Sequence, residues 1–355
     1  MNSISPGRAT PRDPDSWADL VSLRALIISE IRELRGGRPI LPVAGGWIEV
    51  RGRAMATGLG DWDALIHHGP GGGRPIGAAE ALALMLDRLS RQHGAQGRAL
   101  ARRVRASRQR IAAIAAARMD RPDGPPDHLT AEQAMIAGHW MHPCPKALSG
   151  MTLPEERAMT PDWRGALRLR LLSVVSDLIE ATAPDLARDL PGMDIDPGPG
   201  RGLLPVHPLA WDRARHDPRI AALIAAGAVT DLGPMGPGWW ATSSVRTLWR
   251  PDSPWQLKTS LPVTITNSQR VNRRHEMLAG AAMAGRAGAL SGRFGPLRLV
   301  ADSHWMTLRL PGGAASGLEV ILRDNPWRGG RGGAVMQLGG WSRRRCRGGP
   351  RCWRR

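Results

Sequence analysis

Between Thr242 and Arg270 polar and apolar residues alternate almost without a break, and the one interruption is Arg250-Pro251-Asp252-Ser253-Pro254. Period-two alternation marks half-buried strands, and prolines bracketing Asp-Ser mark a short connection, so the segment reads as an antiparallel hairpin. Its arms run from Thr242 to Trp249 and from Trp255 to Ser260, with Trp249 expected opposite Trp255. In that register Val245, Trp249, Trp255, Leu257, Leu261, Val263 and Ile265 share a core face. Thr242, Ser244, Arg246, Gln256, Lys258, Ser260, Thr264 and Thr266 share the other, and Arg270 has the same parity. Arg246 then lies directly across from Lys258. Like charges opposed across a ladder repel. An anion between them reverses the sign, and the neighbouring hydroxyls add donors, which suits a polyphosphate. The alternative is a solvated face whose two cations splay apart.

Composition sharpens this reading. Of 49 basic residues only Lys146 and Lys258 are lysines, and the other 47 are arginines. With 43 Gly, 30 Pro, one Phe and no Tyr, the pattern fits the codon bias of a GC-rich genome. A lysine kept against that bias is informative. The net charge of +18 is misleading by comparison, because nine arginines and no acid lie from Arg328 to Arg355, and without them the balance is 40 − 31 = +9. A basic nucleic-acid-binding protein, using the Arg-rich helix from Ala101 to Arg118 and this tail, is the alternative function. The tail itself is Gly/Arg low complexity. It reads as an RGG-like segment or as a chain outside its proper frame, and its abrupt onset after the strand-like Leu318 to Arg323 favours the second.

The 355 residues, 42% of them apolar, suffice for about two domains. Three cysteines, Cys144, Cys346 and Cys352, make no disulfide framework. No apolar run approaches the ~18 residues of a membrane span, and Met1 to Asp15 lacks a signal-peptide core, so a cytoplasmic setting is expected. Residues 1–128 read as mainly helical. Ser16 is expected to cap a helix bearing Leu20, Leu23, Ile27, Ile31 and Leu34, closed by Gly36-Gly37 and Pro39. Ile40 to Arg53 reads as one or two strands, then come helices carrying Leu82 to Leu89 and Leu100 to Ile114, and a linker from Arg121 to Asp127. The arginines of the second helix suit a solvated face. Residues 129–327 read as β-rich, opened by a Thr130/Gln133 capping box. Leu167, Leu169 and Leu171 suggest a strand, Val174, Val175 and Leu178 a helix, and an Ala-rich segment spans Leu278 to Leu290. The fold class is α+β, and residues 328–355 are set apart as a non-native tail.

A second constellation, from Gly138 to Lys146, packs His139, His142, Cys144 and the other lysine into one short loop. Zinc on His139, His142 and Cys144 is one reading, although the spacing is unlike common paired ligands. A Cys144 nucleophile, a rigid connector, and a loop whose His139, His142 and Lys146 complete the anion site are the others. His207, in Leu204-Pro205-Val206-His207-Pro208, reads as a structural histidine at a helix start.

Taken together these segments resemble the NRPS-independent siderophore synthetases of the aerobactin-synthetase-like (IucA/IucC) family. Gly138, His139, His142, Pro143, Lys146 and Gly150 match that family's G-H-P-x-H-P-x-x-K-S-R-x-G signature, with Trp140 for a proline and Ala147-Leu148 for Ser-Arg. Leu204 to Trp211 is similar to L-P-V-H-P-W-Q-W, and Thr242 to Thr247 to T-S-S-x-R-T. Leu257 to Arg270 is similar to K-x-S-L-x-x-x-I-T-N-x-x-R, and Leu318 to Asn325 to a strand ending R-E-N. The resemblance implies a cupped hand, with a helical thumb followed by a mainly antiparallel β fingers domain. It implies an ATP- and Mg²⁺-dependent ligase that activates citrate or a citrate derivative as an acyl-adenylate. An amine, hydroxylated amine or amino-alcohol then attacks to build a siderophore. By matching position, Ser244, Arg246, Thr247, Lys258, Thr266 and Arg270 would bind ATP, and His139 would be catalytic. His142 and Lys146 would belong to a substrate or phosphate loop, with no protein-held metal. A homodimer is left open, and neither a membrane nor a nucleic acid is expected as partner. The chain is expected to be truncated before the family's palm and inactive alone.

Overall fold

The computed structural model of the chain describes residues 13–33, 40–53, 61–118, 127–290, 293, 295 and 299–330. The first region is built from α1 (Pro14–Glu33), β1 (Ile40–Val43), β2 (Gly46–Arg53), β3 (Asp61–Gly69), β4 (Gly72–Pro75), α2 (Ala78–Gln92) and α3 (Gly94–Arg118). The rest comprises α4 (His128–Gln133), β5 (Leu148–Ser149), α5 (Leu153–Met159), β6 (Ala166–Val175), β7 (Ile179–Ala181), β8 (Arg201–Val206), α6 (Pro208–Ala214) and α7 (Pro218–Ala225). It continues through β9 (Val229–Ala241), β10 (Thr247–Trp249), β11 (Trp255–Thr259), β12 (Leu261–Ile265), β13 (Ser268–Arg270), α8 (Arg274–Ala289), β14 (Asp302–Leu308) and β15 (Val320–Asp324). Every strand pairing among the described residues is antiparallel, so the α+β expectation holds.

The first region is less purely helical than its sequence suggests. Strands β1 to β4 form a four-stranded sheet, and Leu41, Ile48 and Leu65 from it pack with Leu23 and Ile27 of α1 and Met85 of α2. β4 escapes sequence reading because it is a fully exposed Gly-Gly-Arg-Pro edge with no apolar alternation. Asp13, not Ser16, caps α1, its carboxylate accepting from the Ser16 N–H at 2.8 Å. Likewise Asp127 caps α4 by accepting from Thr130 N–H at 2.8 Å, so Thr130 and Gln133 lie inside that helix and form no capping box. Leu34, Gly36-Gly37, Pro39, the linker at 121–126 and the tail from 331 onward lie outside the described residues.

An eight-stranded sheet in the order β7-β14-β15-β11-β10-β9-β6-β8 dominates the second region. Leu169, Leu171, Trp211, Trp239, Leu248, Leu257 and Leu322 belong to its principal core. Val174 and Val175 do not start a helix. β6 runs through them because Val174 pairs with Gly202 on one side and Val229 on the other, and a strand enclosed by two neighbours loses its alternation. A three-stranded sheet, β13-β12-β5, sits apart, so the chain changes sheets at Ser260.

The hairpin exists, one residue out of the expected register. Thr247, not Arg246, pairs with Lys258, and Leu248 pairs with Leu257. The cause is local. Residues 242–246 form a turn joining β9 to β10, closed by Thr242 N–H to Thr247 O at 2.8 Å, with Val245 at φ +67°. A one-residue slip exchanges faces. Leu248 therefore enters the core and Trp249 moves to the Lys258 side, where its indole N–H donates to Asn325 Oδ1 at 3.0 Å. On β11 the parity is as expected, with Leu257 buried and Lys258 half-buried.

Candidate anion-binding site

The turn at 242–246 is strained and held from below. A positive φ is costly for a β-branched residue, and Val245 adopts it while buried against Leu209, Leu261 and Val263. Thr242 Oγ1 and Ser244 Oγ lie 3.1 Å apart, and Ser244 Oγ accepts from the Thr247 N–H at 3.2 Å. The Ser243 N–H donates to Glu132 Oε2 at 2.8 Å, tying the turn to α4. Beyond it, Asn325 clamps the 250–254 connection by donating to the carbonyls of Arg250 and Ser253 at 3.0 and 2.9 Å.

Beside this turn the cations outnumber the acids. Asp302 on β14 accepts from Lys258 Nζ and from Arg323 Nε, each at 2.7 Å. Arg246 donates through Nη1 to the neutral Asn272 Oδ1 at 2.7 Å. Among the described residues Arg270 reaches Ser268 Oγ, at 2.9 Å, and more distantly Ile265 O and Thr266 Oγ1. Burial pulls the Arg246 guanidinium below the ordinary arginine value, with Arg270 and Arg323 adding repulsion that Asp302 and Glu276 offset in part. Arginine does not deprotonate under such pressure. The shift reflects burial first and the neighbouring cations second. Burial disfavours ionised Asp302, yet the Arg323 and Lys258 hydrogen bonds outweigh it and hold the carboxyl below its ordinary value. One carboxylate shared by two cations, with two more cations beside it, is a face fitted to a multiply charged anion.

Of the residues singled out by sequence, Arg246, Thr247, Lys258 and Arg270 come together here, although Arg246 and Lys258 are not a cross-strand pair. Ser244 braces the turn. Thr266 occupies the β12–β13 turn at φ +57°, donating from N–H to Ala147 O at 2.8 Å and from Oγ1 to Ile265 O at 2.6 Å. Asp302, Asn272 and the role of Arg323 were not legible. Arg323 had a signal, its parity in the alternation of Leu318 to Arg323, whereas Asp302 and Asn272 had none.

The His139 loop is organised differently. It closes on itself through His139 N–H to Pro145 O at 3.1 Å and His142 N–H to His139 O at 3.0 Å. A Cβ on Gly138, at φ +71°, would stand 2.2 Å from the Pro145 oxygen, so only glycine fits. His142 Nδ1 accepts from the Cys144 N–H at 3.0 Å, and burial pushes its pKa down. The Lys146 ammonium is ion-paired with Asp162, both largely buried. Cys144 is fully buried in the first region's core and burial pushes its thiol up to about 11, which sets aside the nucleophile and zinc readings. Among the described residues no group of three or more His, Cys, Asp or Glu is placed to hold a metal. None of the described contacts joins the His139, His142 or Lys146 side chains to Arg246 or Lys258. The loop reaches the site through backbone, where β5 pairs with β12 and Ala147 O accepts from Thr266.

His207 caps α6, its Nδ1 accepting from Leu209 N–H at 3.2 Å, and burial drives its pKa to about 3. The arginines of α3 are only partly a solvated face. Arg108 pairs with Asp15 and Asp19, Arg110 with Glu156, and Arg118 donates to the Gln133 carbonyl at 2.7 Å. Arg98, Arg102, Arg103 and Arg105 of the same helix are exposed. No described helix is long and apolar enough to cross a membrane.

Residues 127–339 match the IucA / IucC family. The chain is 38% identical over 282 residues to the rhizobactin siderophore biosynthesis protein RhbC of Rhizobium meliloti, covering 73% of this chain and 48% of that protein. It is 32% identical over 219 residues to a spermidine-citrate ligase of Bacillus anthracis, covering 56% and 36%. The fold is similar to that of ATP-bound aerobactin synthetase IucA of Klebsiella pneumoniae, with TM-score 0.73, 23% identity, 86% of this chain and 61% of that one covered. The chain spans about half the length of the rhizobial relative.

Proposed function

The chain belongs to the IucA / IucC family, and from that premise we propose that it serves siderophore biosynthesis as an ATP-dependent ligase joining citrate, or a citrate derivative, to an amine, hydroxylated amine or amino-alcohol. Relatives named as citrate ligases and synthetases, and the ATP-bound relative of like fold, support the substrate classes. The observation that carries the reading is the cation excess of Arg246, Lys258, Arg270 and Arg323 around Asp302. In this reaction a substrate carboxylate attacks the α-phosphate, pyrophosphate departs, and the amine then displaces AMP from the acyl carbon. Negative charge grows on the phosphoryl oxygens as the bond to pyrophosphate breaks, and preorganised cations stabilise it. Arg246 ends the turn that carries Ser244, and Thr247 pairs with Lys258 across β10 and β11; we assign all four to the nucleotide, with Arg270 and Thr266 from the β12–β13 hairpin.

Mg²⁺ would not be held by these residues. Asp302 is already committed to Lys258 and Arg323, so the ion would arrive with the nucleotide phosphates. His139, with an exposed side chain, is the loop residue we assign to the reacting carboxylate.

Calorimetric titration with ATP and with inorganic pyrophosphate tests the reading. Both should bind, and Lys258→Met should weaken both by about tenfold or more, the worth of a charge-assisted contact. No binding by the folded wild-type chain would overturn it.

A further inference from the structure

Arg246 and Lys258 are joined by a residue between β13 and α8. Asn272 is 3% exposed. Its Oδ1 accepts from Arg246 Nη1 at 2.7 Å, its Nδ2 donates to the Lys258 carbonyl at 3.0 Å, and its own N–H donates to Ser260 Oγ at 2.9 Å. Ser260 Oγ in turn donates to Glu319 Oε2 at 2.6 Å. Glu319, itself buried, is fixed by the N–H groups of Ser316 and Gly317 at 2.7 and 3.1 Å. One amide therefore ties a guanidinium to the backbone of the neighbouring cation, and a buried carboxylate anchors the amide through a serine.

The choice of a carboxamide has two consequences. It accepts on one side and donates on the other, which a carboxylate cannot do. It also accepts without bearing charge. Lys258 and Arg323 share the charge of Asp302, whereas Arg246 meets a neutral partner and keeps its charge for a ligand.

We propose that Asn272 is the positioning residue of the anion site, presenting Arg246 to phosphoryl oxygens as a cation without a directly bonded carboxylate and holding Lys258 in register with it. This rests on the ATP-site reading above. Although the Lys258 carbonyl needs the amide N–H, holding Arg246 alone would be served by an acceptor of either charge. Anion binding would not.

The test compares Asn272→Ala and Asn272→Asp, using inorganic pyrophosphate and uncharged adenosine as calorimetric probes, with thermal unfolding to establish that both variants fold. Asn272→Ala frees Arg246 and should weaken pyrophosphate binding several-fold. Asn272→Asp keeps an acceptor for Arg246 but neutralises it, and should weaken pyrophosphate binding further, by about tenfold or more against wild type. Adenosine affinity should change less than about twofold in either. Pyrophosphate binding by Asn272→Asp equal to or tighter than by Asn272→Ala overturns the proposal, as does a parallel loss of adenosine. A ligand-free measurement separates this inference from the reading it rests on. Nuclear magnetic resonance of the guanidinium groups, with Arg246→Lys assigning the signal, should show hindered rotation of Arg246 in wild type and free rotation in Asn272→Ala. Absence of pyrophosphate binding with that difference intact would sink the ATP site and leave the positioning role. An Arg246 that rotates alike in both would sink the positioning role whatever binds.

Discussion

Lys146 and Lys258, the only two lysines of the chain, sit in opposite settings. Lys146 is enclosed with Asp162, and the loop that carries it turns its polar groups inward onto its own backbone. Lys258 shares Asp302 with Arg323, while Arg246 and Arg270 stand near without a carboxylate of their own among the described contacts. The first arrangement is neutral and structural. The second holds more cations than carboxylates among the described contacts. Residue type alone did not separate them: both segments show histidine, hydroxyl or basic side chains in short motifs, and each ammonium has one carboxylate partner, but the partner of Lys258 is shared with Arg323.

The largest effect should come from the spent pair. Asp162→Ala leaves the Lys146 ammonium buried without its partner, a change that costs about 3–5 kcal/mol, measurable by urea unfolding. Pyrophosphate affinity of the folded fraction should not change. A loss under about 1 kcal/mol would mean that Lys146 is as available as Lys258, and the contrast would fail.

What could be read beforehand follows from how local the cause is. The strand parity of β11 was legible in Leu257 and Lys258 because side chains alternate between faces along a strand whatever its partner. The register was not, because it depends on where β10 begins, and that is decided by Val245, whose left-handed backbone no apolar pattern announces. Helix starts failed for a related reason. Ser16 and Thr130 are good capping types, but Asp13 and Asp127, three residues earlier, take the position. The site's cations were visible in sequence as motifs. Its shared acid, Asp302, and its neutral tether, Asn272, come from other segments and meet the cations through the sheet and the residues that lead into α8.

Asp302→Asn should give a smaller loss of stability than Asp162→Ala, about 1–3 kcal/mol, with the opposite consequence for ligand. Removing the acid raises the cation excess, so pyrophosphate should bind more tightly. The folded carboxyl is held below its ordinary value, so its contribution is fully present above about pH 4 and disappears as pH falls through the folded pKa. Wild type and Asp302→Asn should therefore differ in stability at neutral pH and converge in acid. A gap that stays constant down to pH ~3 would show that Asp302 is not the ionised centre of the cluster.

The smallest effect should come from His139, and it asks whether the two regions work together at all. Its side chain is exposed, and its ring meets only His142, edge-on with centroids 6.3 Å apart. His139→Ala should change stability by no more than about 0.5 kcal/mol, as for other uncommitted surface side chains. Pyrophosphate affinity should stay within about twofold, because the cations assigned to it lie in the 242–246 turn and on β11, β13 and β15 rather than on this loop. Citrate, titrated in the presence of a non-hydrolysable ATP analogue, should instead bind more weakly in the variant if the imidazole faces the reacting carboxylate. That split between a phosphate probe and a carboxylate probe is the sharp outcome. Equal losses for both ligands would place His139 on the phosphates, and no loss for either would leave the loop a connector that shapes the β5–β12 edge and nothing more.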